Sequence, residues 1–128
     1  PPWHADKRSA PPGPRRYRAR RLWRDALRLW VQGCAAMLQH NGTLTLALPC
    51  ALLDQAITEL TTGGFGGVTL YPFWPKTGRE ARIMLLQARL GVKSPARILP
   101  GLVLHEADGA FTPQARAVLE DGAALPGL

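Results

Sequence analysis

Apolar and polar positions along the chain predict two longer helices, three strands and a short C-terminal helix. Apolar residues recur at helical spacing from Leu22 to Gln39 and from Ala51 to Thr62. Thr43 to Leu48 alternates threonine with apolar residues, the period-two pattern of a strand. Two further apolar runs, at residues 67–71 and 82–89, are also predicted to be strands.

The connections between these elements predict the strand directions. A helix over residues 51–62 separates the first two strands, and a crossover of this kind joins parallel strands. The link to the third strand contains Pro72, Pro75 and Gly78, which exclude a helix. The third strand is therefore expected to return antiparallel, as a hairpin.

The C-terminal part carries weaker signals. Leu102 to Leu104 is predicted to be a short extended piece, and Asp108-Gly109 a turn. Thr112 is a good N-cap for a last helix, with Pro113 at its first position and Gly122 after its end. In the same way, Asn41-Gly42 is predicted to end the first helix in the left-handed conformation.

Length and composition bound the protein class. With 128 residues and 46% hydrophobic content, the chain is long enough for one domain with one core. It lacks an apolar run long enough to span a membrane and an apolar secretory leader, so we expect a soluble, cytoplasmic protein. Cys34 and Cys50 lack the paired spacing of a metal site and are predicted to be buried thiols.

The basic charge is concentrated at the start of the chain. Residues 1–28 hold nine basic and two acidic residues, and this segment accounts for the whole net charge of +7. An arginine-rich segment attracts phosphate, which arginine contacts through two N–H groups at once. The alternative is a solvated, charged loop without a ligand.

Two parallel strands followed by one antiparallel strand form an incomplete α/β sheet. Both faces of a parallel strand normally need cover, and two helices on one side leave apolar surface open. We therefore expect the chain to be the C-terminal half of a larger domain, with further strands before Pro1.

Three segments resemble one enzyme family, the class I methyltransferases. In family members that methylate amines of bases or of glutamine, an Asn-Pro-Pro-aromatic motif follows the fourth strand, and "PPWH" is similar to that motif without its Asn. The segment "LQHNGTLTLALP" resembles the family's turn into strand five. Residues 100–122, "PGLVLHEADGAFTPQARAVLEDG", resemble the tail of the bacterial adenine-N6 methyltransferases that modify valine tRNA. The resemblance covers essentially the whole chain.

The resemblance implies a fold and catalytic residues. The fold is the C-terminal half of a Rossmann-like sheet, with two parallel strands, a final antiparallel strand and flanking helices. The Pro1 carbonyl would hold the substrate amine, Pro2 would stiffen the loop, and Trp3 would stack on the base, so that positioning carries most of the catalysis. A buried structural anchor is the alternative role for Trp3.

The resemblance also implies tRNA as the partner. Pro1–Trp3, Pro49-Cys50 and the loop 72–79 are expected at the carboxyl edge of the sheet, where ligands of open α/β sheets bind. Tyr71, Phe73 and Trp74 are either contacts to bases or an apolar plug. The predicted tRNA-binding residues are the cations Arg15, Arg16, Arg18, Arg20, Arg21, Lys76 and Arg79.

The implied cofactor is S-adenosylmethionine, bound mainly by a missing N-terminal half. Gly63-Gly64 and Gly66-Gly67 lie between a helix end and a strand, the wrong order for a cofactor cradle. His4, His40 and His105 lack metal-ligand spacing, so no metal is expected and these histidines are assigned structural or surface roles.

The resemblance divides the chain into a basic loop over 1–21, a core over 22–90 and a C-terminal extension over 91–128. Two alternatives to adenine-N6 methylation stay open. One is a basic RNA- or DNA-binding module that does no chemistry. The other is methylation of a different amine, such as that of glutamine or guanine. The sequence does not decide the oligomeric state.

Overall fold

Three α-helices and five strands make up the part of the chain that the structure, a computed structural model, describes: the backbone of residues 14–128 and the side chains of residues 18–128. A 3-10 turn, Cys50–Leu52, precedes the second helix. The helices are α1 (Pro14–Met37), α2 (Leu53–Thr62) and α3 (Pro113–Asp121). The strands are β1 (Thr43–Pro49), β2 (Phe65–Trp74), β3 (Ile83–Leu90), β4 (Arg97–Ile98) and β5 (Leu102–Val103).

The centre of the sheet is β3, which pairs antiparallel with β1 on one side and with β2 on the other. Leu86 of β3 lies opposite both Leu46 and Leu70. β1 and β2 therefore run in the same direction with β3 inserted between them. The predicted α/β class, with two parallel strands and an antiparallel third strand, is confirmed.

Helix α1 differs from its prediction. It begins at Pro14 rather than Leu22 and ends at Met37 rather than Gln39. Residues 14–21 were expected to belong to a proline-rich, basic loop, but arginine is a good helix former and a charge run does not break a helix. Proline is tolerated at the first helical position because its missing N–H would have no partner there. Asn41 is left-handed, with a φ of 68°, as predicted.

The larger core lies between one face of the sheet and the helices α1 and α2. Leu27 and Val31 of α1 and Leu60 of α2 are buried against this face. Leu44, Leu46 and Leu48 point into the same core, while the residues between them are exposed, so β1 presents its other face to solvent. Cys34 and Cys50 were predicted to be buried but are half-buried at the margin of this core.

A smaller core lies on the opposite face, under α3. Tyr71, Leu102 and Ala115 are buried there. Thr112 caps α3 as predicted, because its hydroxyl accepts a 3.1 Å hydrogen bond from the Ala115 N–H, and Gly122 ends the helix with a φ of 66°. Within residues 14–128, no helix is long and apolar enough to cross a membrane.

The edge of the sheet beyond β2 is built from two very short strands. β4 pairs with Thr69 and Leu70, and β5 pairs with Phe73 and Trp74, both parallel to β2. The pairing is interrupted around Pro72, which has no N–H to donate. β4 was not predicted, because two residues between prolines give no periodic signal, and β2 extends past the predicted run at both ends.

Candidate functional site

The carboxyl ends of β1, β2 and β5 meet at one edge of the sheet. Pro49 of β1 and Phe73 of β2 are both register partners of Ile83, and Leu102 of β5 lies beside Phe73. The Cys50 N–H donates a 2.8 Å hydrogen bond to the Arg82 carbonyl, which ties the end of β1 to the start of β3. The segments 49–50 and 72–79 therefore lie on one rim, as the strand directions predicted.

The loop between β2 and β3 is fixed by main-chain hydrogen bonds. The Arg79 N–H donates to the Lys76 carbonyl at 3.1 Å, in a turn that needs a φ of 79° at Gly78. The His105 N–H donates to the Pro75 carbonyl at 3.0 Å, and Lys76 Nζ donates to the Ala107 carbonyl at 3.3 Å. The loop is thus joined to the segment that follows β5.

A pocket of about 540 Å³ opens at this junction. It brings together side chains from the β2–β3 loop, which ends at Arg82, and from the segment after β5. Among the described residues of its lining, three side chains are basic and one, that of Glu80, is acidic. The pocket is lined by Pro75, Lys76, Gly78, Arg79, Glu80, Arg82 and His105.

Cys50 belongs to the same rim. Burial raises the pKa of the Cys50 thiol above its ordinary value, and the negative charge of nearby Glu80 raises it further. A raised pKa keeps Cys50 a thiol at neutral pH. Since the thiolate is the reactive form, Cys50 is not an activated nucleophile.

The arginine-rich half of α1 lies at the same edge of the sheet as this pocket. Trp23 and Leu27 line one apolar depression together with Leu48 and Leu52, near the carboxyl end of β1. Because α1 continues from Trp23 back to Pro14, residues 14–21 extend from this end of β1. The side chains of Arg18, Arg20 and Arg21 are exposed.

Two predicted cations have helical backbones, but their side chains are outside the described part: Arg15 and Arg16. Arg28, counted with the basic segment, instead forms an ion pair, with 3.5 Å between its Nε and Oε2 of Glu59. The structure therefore brings Lys76 and Arg79 into one pocket and places the α1 arginines at the same edge. Pro1, Pro2 and Trp3 lie outside the described residues.

The aromatic residues at the end of β2 differ in their burial and in their contacts. Tyr71 is fully buried and donates a 2.7 Å hydrogen bond to the Pro126 carbonyl, so its ring is not accessible to a base. Phe73 packs edge-on against Tyr71, with ring centroids 5.6 Å apart. Trp74 is half-buried and donates from Nε1 to the Pro100 carbonyl at 2.9 Å. For Tyr71, the apolar plug is therefore the correct alternative.

Sequence reasoning missed three residues of the pocket, Glu80, Arg82 and His105. Arg82 was assigned only to the third strand, and His105 to a structural or surface role. His105 reaches the pocket through the hydrogen bond from its N–H to the Pro75 carbonyl, whereas Arg82 lies at the end of the β2–β3 loop that also holds Arg79. One feature of the sequence could have indicated Arg82 and His105. Each lies at one end of a predicted strand, on the edge of the sheet where the carboxyl ends meet.

The glycine-rich segment 63–67 does not fit a cofactor cradle. A Cβ on Gly66 would lie 1.9 Å from the Val92 carbonyl oxygen, and one on Gly63 would lie 2.5 Å from Val31 Cγ1. These glycines therefore allow close packing of the chain on itself. Residues 14–128 show no glycine-rich turn between the end of a strand and the start of a helix. They also contain no cluster of three or more His, Cys, Asp or Glu residues placed to hold a metal ion.

Comparison with known proteins supports the fold. No protein-family model matches the chain, and no curated protein matches it. Among solved structures it is similar to a predicted O-methyltransferase, protein Atu636 from Agrobacterium tumefaciens, with 25% sequence identity and a TM-score of 0.70. The match covers 77% of this chain and 47% of that one, so the chain spans about half the length of this structure. The described residues thus have a methyltransferase-like fold.

Proposed function

We propose that this chain is the substrate-binding part of an S-adenosylmethionine-dependent methyltransferase that acts on the N6 amine of an adenine in tRNA. The observation that carries methyl transfer is the similarity of this fold to the structure of a predicted O-methyltransferase. The choice of an amine as acceptor rests on the Pro1-Pro2-Trp3 segment and its resemblance to the amine-methylating families. The choice of tRNA rests on the resemblance of residues 100–122 and on the exposed cations at the carboxyl edge.

In this proposal the protein acts by positioning its substrate. The Pro1 carbonyl accepts a hydrogen bond from the adenine amine, and the Trp3 ring stacks on the base and holds the amine in place. Lys76 and Arg79 bind the phosphate backbone at the rim, together with the α1 arginines. The methyl donor is S-adenosylmethionine, for which residues 14–128 do not supply the cradle.

The experiment measures methyl transfer by the protein expressed from its native gene. Unmodified tRNA is incubated with the protein and S-adenosylmethionine, and the nucleosides are separated and identified by mass spectrometry. We expect N6-methyladenosine. Methylation of a ribose hydroxyl or of a guanine, or the absence of any methylated nucleoside, would overturn the adenine assignment.

A variant separates catalysis from binding. Trp3→Ala removes the stacking platform, so we expect kcat to fall by roughly 100-fold while the Kd for tRNA changes little. Trp30→Ala, which removes an exposed tryptophan from α1, serves as the matched control and should leave kcat unchanged. Equal kcat values for Trp3→Ala and the wild type would contradict the role of Trp3 and favour a binding module without chemistry.

A further inference from the structure

We infer that Lys76, Arg79, Arg82 and His105 form a subsite that binds one phosphate group of the RNA backbone. The inference rests on the proposed function only in taking a polynucleotide as the ligand. It adds Arg82 and His105 to the proposed phosphate-binding residues. It also places the contact with the RNA backbone at this edge in a defined pocket.

The pocket is held in shape by contacts that do not involve the proposed ligand. The 105–111 hairpin is closed by the pairing of His105 with Phe111 and by the hydrogen bond from the Glu106 N–H to the Ala110 carbonyl, 2.7 Å long. The hydrogen bond from His105 N–H to the Pro75 carbonyl fixes this hairpin against the β2–β3 loop. Lys76, Arg79 and Arg82 come from the β2–β3 loop and His105 comes from the segment after β5, and these four side chains line one pocket.

The orientation of His105 leaves one ring nitrogen for a ligand. Its Nδ1 lies 3.1 Å from the Gly109 carbonyl oxygen, and because a carbonyl only accepts, Nδ1 carries the hydrogen. The ring stacks on Phe111 with a centroid distance of 4.7 Å. Nε2 is the nitrogen left to contact a ligand, and in the imidazolium form it donates a hydrogen bond to a phosphate oxygen.

The charges of the pocket favour an anion. In the described part of the chain, neither Arg79 nor Arg82 has an acidic group within ion-pair distance, and both are exposed. Glu80 is the acidic residue of the lining, and Glu106 and Asp108 lie in the adjacent hairpin. Asp108 Oδ1 accepts from the Ala110 N–H at 3.0 Å. Two guanidinium groups and a lysine suit the oxygens of a phosphate.

A polynucleotide fits this edge better than a free nucleotide. Arg18, Arg20 and Arg21 are exposed at the same edge of the sheet and would contact further phosphates of one strand. A mononucleotide carries phosphate at one position only and would use the pocket alone. RNA and a free nucleotide both present a phosphate group to the pocket. A competition experiment distinguishes these two ligands.

The experiment measures RNA binding without S-adenosylmethionine. The probe is a fluorescein-labelled single-stranded RNA of 12 nucleotides, followed by anisotropy at several salt concentrations, with adenosine monophosphate as competitor. Arg82→Gln should weaken RNA binding roughly tenfold and reduce the slope of log Kd against log salt by about 0.7, because one phosphate contact is lost. Arg97→Gln, which removes the same charge from the exposed strand β4, is the matched control and should change the affinity much less.

Two substitutions test His105. Glutamine places its amide near the position of Nε2, whereas asparagine places it near Nδ1, so His105→Gln should retain more affinity than His105→Asn. An equal loss of RNA affinity in both variants would show a structural role for this ring. We expect the melting temperature of His105→Gln to stay close to that of the wild type.

Three results would overturn the inference. If the α1 variant Arg20→Gln weakens RNA binding but Arg82→Gln does not, the pocket is not a phosphate subsite, and the proposed function still stands. If adenosine monophosphate competes as well as the oligonucleotide at equal phosphate concentration, the ligand is a free nucleotide. If the wild type binds no RNA, both this inference and the tRNA assignment fail.

Discussion

Tyr71 Oη donates a 2.7 Å hydrogen bond to the carbonyl oxygen of Pro126, 55 residues further along the chain. Tyr71 is fully buried, so this bond fixes the C-terminal segment across the smaller core. Burial also raises the pKa of the Tyr71 hydroxyl above 10, its ordinary value.

Replacement of Tyr71 by Phe should lower stability and change its dependence on pH. Loss of the hydrogen bond should reduce the free energy of unfolding by about 1 kcal/mol at neutral pH. Because the folded-state pKa is raised, the contribution of the hydroxyl is complete below pH 10 and is lost as pH rises through the folded pKa. Tyr71→Phe should therefore lose less stability than the wild type in strong alkali.

Denaturant unfolding at neutral and alkaline pH measures both effects. Trp74→Phe is the control, because it removes a 2.9 Å hydrogen bond to the Pro100 carbonyl but no titrating group. It should lower stability by the same amount at every pH. An identical alkaline dependence in the wild type and Tyr71→Phe would contradict the burial of this hydroxyl.

How much of the fold the sequence predicts depends on the range of the interactions involved. The directions of β1, β2 and β3 follow from the links between them, a helix in one case and a proline-containing loop in the other. The placement of β3 between its neighbours was not predicted, because it depends on the competition between two strand edges rather than on any local pattern. The same holds for β4, which exists only where β2 offers it a partner.

The residues of the candidate site also divide into those that the local sequence predicts and those that it does not. Lys76 and Arg79 were predicted because they lie in one loop next to a strand end. His105 was missed because its hydrogen bond to Pro75 brings it to this edge, and Arg82 was missed because it was assigned to the third strand instead of to the loop before it. The burial of Tyr71 depends on Pro126, which is far away in the sequence, and no local pattern around Tyr71 indicates it.

The ion pair between Arg28 and Glu59 should stabilise the packing of α1 on α2. Glu59 is only 7% exposed, and Arg28 Nε lies 3.5 Å from its Oε2. Arg28→Gln leaves a buried carboxylate without its cationic partner, so we expect a loss of about 1 to 3 kcal/mol of unfolding free energy. Arg24→Gln, at an exposed position on the same helix, should change stability by less than about 0.5 kcal/mol.

A double-mutant cycle with Glu59→Gln isolates the pair. Once the carboxylate is gone, Arg28→Gln should cost far less than in the wild-type background. Equal costs in the two backgrounds would mean that Arg28 acts through the packing of its alkyl chain rather than through its charge.

The thiol of Cys50 should react slowly with alkylating agents at neutral pH. Burial raises its pKa above 9.0, and the charge of Glu80 adds to this effect. In a Cys34→Ser background, the rate of modification by iodoacetamide should therefore reach half its maximum above pH 9.0. Glu80→Gln removes the negative charge and should move this midpoint to lower pH.

The reaction is followed by mass spectrometry across the alkaline range. Glu106→Gln is the charge-matched control, since Glu106 makes no contribution to the Cys50 shift, and it should leave the midpoint in place. A shift of this midpoint in both Glu80→Gln and Glu106→Gln, or in neither variant, would contradict a specific interaction between Glu80 and Cys50.

Two glycines should respond in opposite directions to the same substitution. Gly33 lies in α1, and a Cβ added there would meet no atom within 4 Å. Gly33→Ala should therefore stabilise the protein by about 0.5 to 1 kcal/mol, because alanine loses less conformational entropy in a helix. Gly66 lies in β2, where an added Cβ would be only 1.9 Å from the Val92 carbonyl oxygen.

Gly66→Ala must therefore displace the backbone around Val92, and we expect a loss of about 1 to 3 kcal/mol. Thermal and denaturant unfolding of the two variants, each compared with the wild type, test the pair together. A stabilising Gly66→Ala would mean that the segment after β3 does not pack against β2 as described. A destabilising Gly33→Ala would instead mean that the exposed side of α1 is covered in solution, since only a contact absent from residues 14–128 would then oppose the added methyl group.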